Sequence, residues 1–148
     1  MQRFVFKLEA VRRLRVQQEE AVQVELARVM RERNGVLEEL IKSRDAEQDL
    51  FTYLREPGRT AAEMAHVSRY SNWHRQQIFS LGIKLMQFDK GVELVRGRLI
   101  DARARREALD RLHDKQHEAW RLAGQREEQA ELDEIATMRA ARGLGAVA

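Results

Sequence analysis

The sequence predicts an all-α protein: a long two-helix antiparallel coiled-coil hairpin whose second helix overhangs the first. Three observations lead there. Alternating strides of three and four from Ile78 land on Leu81, Leu85, Phe88, Val92, Val95, Leu99 and Ala102, every one apolar. A stripe with a 3.5-residue period is buried only against another helix, and the positions between are mostly Lys, Arg, Gln, Asp, Glu and Gly. Ala, Glu, Lys, Leu and Arg make up 78 of the 148 residues, the bias of long helices. A single proline and 6% aromatics argue against sheet and against a compact globular core, while 34% charged residues suit a thin structure with most positions in water.

The first helix reads from about residue 4 to 54, with a looser seam. Phe4, Leu8 and Val11 open it; Val22, Leu26, Val29, Val36, Leu40, Leu50 and Leu54 continue it, with Arg33, Ser43 and Glu47 at intervening core positions. Between Val11 and Val22 the register falls on Arg15 and Gln18 and then advances by two strides of four, a stutter that locally unwinds a supercoil.

Glu56-Pro57-Gly58 breaks the chain, because proline cannot continue a helix and glycine supplies the turn. Thr60-Ala61-Ala62-Glu63 then has capping-box spacing. The expected organisation is one coiled-coil domain over 1–148, with a turn at 55–59, helix two at 61–140 and a flexible tail at 143–148. Folding about residues 57 and 58 pairs positions whose numbers add to about 115. Val36 would then meet Leu81, Val22 would meet Val92 or Val95, and Leu8 would meet the region of Glu107.

That register has two consequences. Residues 112–140 have no intramolecular partner, although they carry Leu112, Trp120, Leu122, Leu132, Ile135 and Met138. Apolar side chains on an unpaired helix require a partner or leave it disordered. Arg12, Arg13 and Arg15 also fall opposite Arg103, Arg105 and Arg106, offset only in part by Glu9, Asp101 and Glu107, which reads as a docking surface for an acidic partner or as a splayed solvated face. Near the turn, Tyr70, Trp73, His74 and Gln77 lie among Ser68, Ser71 and Asn72. Aromatics beside small polar residues mark a recognition surface, or pack on Phe51 and Tyr53 across the turn.

Enzyme chemistry finds no support. Gly82, Gly91 and Gly97 are scattered and form no phosphate loop; His113 and His117, one helical turn apart, lack a third metal ligand. No catalytic residue, metal or cofactor is expected. The net charge of +3, with 22 Arg to 5 Lys, favours bidentate recognition of carboxylates and does not call for nucleic acid. Glu19, Glu20 and Glu25 follow the first arginines directly, unlike the basic region of a zipper. The absence of cysteine, of a membrane-length apolar run and of a signal peptide's apolar core leads us to expect a cytoplasmic protein with no membrane insertion.

The opening Phe4-Val-Phe6-Lys7-Leu8-Glu9-Ala-Val11-Arg-Arg-Leu14-Arg15 resembles the start of the flagellar export protein FliJ, and Arg126-Glu-Glu128-Gln129-Ala-Glu-Leu132-Asp133-Glu134-Ile135-Ala136 resembles its C-terminal part. The order of helix, Pro-Gly break and longer helix is also that of the family. The resemblance implies a stalk of the bacterial flagellar type III export apparatus, monomeric when free, held peripherally at the inner membrane. It would sit in the export ATPase hexamer, contact the membrane export gate and assist export chaperones. By analogy, Phe4, Phe6, Leu8, Arg12, Arg13, Arg15, Arg103, Arg105, Arg106, Trp120, Leu132 and Ile135 would face the ATPase, and Tyr70, Trp73, His74 and Gln77 the gate. A virulence-type secretion stalk, or a coiled-coil adaptor or scaffold, makes the same physical demands on a sequence.

Overall fold

A computed structural model describes residues 3–145, and side chains through Gly143. Two helices pack as a hairpin: α1, Glu9–Arg55, and α2, Ala61–Gly145. No described residue is in a strand. The helices begin and end differently from expectation. Helix one starts at Glu9, not residue 4, because Phe4-Val5-Phe6 alternate half-buried, exposed, buried, the period of extended chain. Helix two runs beyond 140 through Gly145, so 143–145 are helical; residues 146–148 of the expected tail lie outside the described residues.

The turn is built from local hydrogen bonds. Gly58 takes a φ of 91°, which side-chain-bearing residues rarely adopt. Arg59 pairs with Glu56, donates to the Tyr53 carbonyl at 3.3 Å and lays its guanidinium 3.5 Å over the Tyr53 ring. The capping box is closed: the Glu63 N–H donates to Thr60 Oγ1 at 3.2 Å, and the Thr60 N–H to Glu63 Oε2 at 2.8 Å. That backbone donor holds the Glu63 carboxyl below its ordinary range.

The chain divides into two compact units: residues 18–102, and residues up to 17 together with those from 103 onward. The first contains the hairpin turn. Its apolar centre is Val29, Val92 and Val95, with Val22, Leu26 and Phe88 packed around them. On α2, Leu81, Val92 and Val95 are buried, and Ile78, Leu85, Phe88, Leu99 and Ala102 half-buried. Between them Phe79, Ile83, Met86, Leu94 and Ile100 are exposed, so the stripe stays narrow.

The register within this unit is not the one expected. Glu25 pairs with Arg98 at 2.9 Å, Arg33 with Asp89 at 2.8 Å and Glu47 with Arg75 at 3.1 Å. The numbers of each pair add to 122 or 123 rather than about 115. The cause is at the turn. Residues 61–66 are all exposed and Val67 is the first buried residue of α2, so the opening of that helix serves to cross over the end of α1. Because the shift is close to one heptad, the same stripe faces inward with different partners.

No stutter exists in α1. One run of inward positions, Arg12, Arg15, Glu19, Val22, Leu26, Val29, Arg33, Val36 and Leu40, advances in unbroken strides of three and four, flanked by half-buried Val16, Glu25 and Leu37, while Val11 and Gln18 are exposed. Glu19, only 5% exposed, holds a core position and accepts a hydrogen bond from Gln23 at 3.3 Å. Reading apolar residues alone misplaced the seam, because a carboxylate with partners can occupy a core position.

Candidate functional site

The residues expected to face an ATPase belong to the unit that pairs the chain's beginning with α2 from Arg103 onward. The extended start of the chain sets Phe4 and Phe6 on the same side. The Phe6 carbonyl accepts from the Glu9 N–H at 3.2 Å, and the Leu8 carbonyl from the Arg12 N–H at 2.9 Å, which turns the segment into α1. Glu9 places a carboxylate at the positive end of that helix.

Phe4 and Phe6 close over an aromatic cluster on α2. The Phe4 ring lies 5.5 Å from His113, 5.1 Å from His117 and 5.8 Å from Trp120, and Phe6 is 5.2 Å from His113. His113 and His117 stack within 7° of parallel at 6.2 Å. Both rings pack against Phe4, and among the described residues no three His, Cys, Asp or Glu groups converge. This cluster corrects the overhang. Its residues His113, His117 and Trp120 have intramolecular partners, Gly124 is buried, and only from Gln125 to Gly143 is every residue exposed. An extended strand of chain reaches further per residue than the helix expected there, about 3.3 Å against 1.5 Å.

The arginine convergence is also relieved from within. Arg12 Nε donates to Asp110 Oδ1 at 2.7 Å, and Arg106 to Oδ2 at 2.5 Å. Asp110 was absent from the sequence-based set, although its position four residues after Arg106 was a legible signal. Arg13 stays exposed beside Glu9 at 3.4 Å, and Arg105 is exposed; Leu8, Arg15 and Arg103 complete the sequence-based set in this unit, with Leu8 exposed and Arg15 half-buried. Leu132 and Ile135 stand apart from all of these on the exposed end of α2.

The two arginines hold the Asp110 carboxyl below its ordinary value of 3.8, the Arg12 hydrogen bond being the main cause. A carboxyl whose folded pKa is depressed contributes stability above its unfolded pKa and loses it as the pH falls through the folded one. Asp110→Asn is therefore expected to cost about 1 kcal/mol at pH 7. The difference from wild type should shrink as the pH drops below about 3.8. Thermal melts of both proteins at neutral and acid pH check this, and an equal difference at both would reject it.

The residues expected to face a gate lie in the other unit. Tyr70 and Trp73 are half-exposed and stack at 5.8 Å, and each meets His74 edge-on at 4.9 Å. Among the described residues neither ring makes a ring contact with Phe51 or Tyr53, which carry Arg75 and Arg59 over their rings. Ser71 and His74 are buried in the seam, and neither Ser71 Oγ nor His74 Nδ1 has a hydrogen-bond partner among the described residues, a local cost to pairing. Gln77 is exposed. Tyr70, Trp73, His66 and Arg69 line a shallow open hollow. Sequence reasoning passed over exposed Phe79, Ile83 and Met86, which follow strides of four and three along α2.

The family model described as the flagellar FliJ protein matches residues 4–145. The chain belongs to the FliJ family. No curated protein and no solved structure matches it. The FliJ match opens at Phe4, the first ring of the aromatic cluster, and closes at the last described helical residue, so it spans both units. The family is one of flagellar export, and no described helix of this FliJ member is long and apolar enough to cross a membrane.

Proposed function

We propose that this FliJ-family chain is a non-enzymatic stalk and coupling component of flagellar protein export. It binds the export ATPase ring and the membrane export gate, and assists export chaperones, in the cytoplasm beside the inner membrane. What carries the reading is the family match across nearly the whole hairpin. The ATPase-facing surface is the unit with the aromatic cluster, through outward Arg13 and Arg105 and through the exposed end of α2 with Leu132 and Ile135. Phe4, Phe6 and Trp120 support that surface from beneath. The gate-facing surface is the half-exposed pair Tyr70 and Trp73 with Gln77, held from behind by His74.

The test is ATP hydrolysis and ring assembly of the cognate export ATPase with and without the protein. Stimulation of either is expected; no change in both, with no physical association, would reject the proposal. Combining Arg13→Glu with Arg105→Glu should weaken that association, more at low salt than at high, while leaving helicity intact.

A further inference from the structure

From Gln125 to Gly143 every residue of α2 is exposed, and Leu132, Ile135 and Met138 lie bare on it. The arrangement around Ile135 is symmetric. Leu132 stands three residues before it and Met138 three after; Glu131 and Glu128 stand four and seven before, Arg139 and Arg142 four and seven after. Offsets of three, four and seven keep all of these on one side of the helix. Among the described residues none of the four charges is in an ion pair.

A face that is acidic on one side of an apolar centre and basic at the same distances on the other is complementary to itself when reversed. We propose that this face binds a second copy of the chain, the two α2 ends pairing antiparallel about a twofold axis at Ile135. Ile135 then meets Ile135 of the second copy, and Leu132 meets Met138. Glu131 and Glu128 face Arg139 and Arg142 across the seam, giving four ion pairs from two helices. A parallel pair would instead set like charges against each other. Pairing over about four turns covers less than the ~800 Å² per partner of a standard interface, so the dimer is weak and reversible, unlike an obligate scaffold. It covers Leu132 and Ile135, the residues assigned above to the ATPase, and so makes self-pairing and docking exclusive. The pairing itself does not depend on that assignment and is tested without the ATPase.

Sedimentation equilibrium of the full chain should show a concentration-dependent monomer–dimer mixture. Combining Glu128→Arg with Glu131→Arg makes the face wholly basic, and combining Arg139→Glu with Arg142→Glu makes it wholly acidic. Each double variant alone should dimerise about tenfold more weakly or worse, and their equimolar mixture should recover dimer. The chain lacks cysteine among its residues, so Ile135→Cys can report the axis: it should form an oxidised dimer readily, while Gln125→Cys, far from the axis, should not. A wild-type chain monomeric at all concentrations, double variants that dimerise normally, or equal crosslinking at 125 and 135 would each overturn the proposal.

Discussion

Replacing Val95 by aspartate is expected to unfold the hairpin's main unit, with a loss of about 3–5 kcal/mol, a large part of a typical domain's stability. Val95 is 5% exposed and sits against Val29 and Val92, where a carboxylate finds neither water nor a cation. Its neighbour Leu94 is equally apolar but 68% exposed, so Leu94→Asp should change stability by less than about 0.5 kcal/mol. Thermal melts followed by circular dichroism compare the two. The contrast isolates the seam, because both substitutions place the same charge in the same helical turn. Equal effects would mean that this helix is not held by pairing along Val95.

Phe6→Ala carries the second large effect, about 3 kcal/mol, confined to the other unit. Phe6 is 7% exposed, and its ring contact with His113, together with the Phe4 contacts next to it, closes the extended start of the chain onto α2. Without it the aromatic cluster loses its lid. Amides from about residue 109 to 120 should exchange faster with solvent, while those from Leu81 to Val95 keep their protection. Val5→Ala, at a side chain 73% exposed between the two rings, is the control and should leave exchange unchanged. Faster exchange spread evenly over both regions would show that the cluster is not a separate unit of stability.

These two sites differ in how far they could be read beforehand. Val95 belongs to a stripe that repeats eight times, so its burial follows from helical geometry. Phe6 reads from sequence as part of the helix, because a short extended segment ahead of a long helix has no periodic signal of its own. The arginines were legible as a set, but their charge balance was not. Asp110 takes Arg106 within its own helix, but Arg12 reaches it only through the pairing of two segments distant in sequence. The exposed end of α2 was correct in kind and too long, since it begins after Gly124 and not at Leu112.

Local chemistry in the chain by itself determined two helices, the break at Pro57-Gly58, the Thr60–Glu63 cap and the seam from Ile78 to Ala102. Each depends on residues no more than a turn or two apart, so no distant contact is needed to choose it. The tertiary structure alone decided which heptad of one helix meets which of the other. A stripe that repeats every seven residues looks the same after a shift of seven, and the tie is broken only by how many residues of α2 are used in crossing over at the turn. From that choice follow the three interhelical ion pairs of the main unit. Glu19 at a core position and the rings of Phe4 and Phe6 over His113 were likewise decided by packing, where partners distant in sequence satisfy what local pattern leaves open.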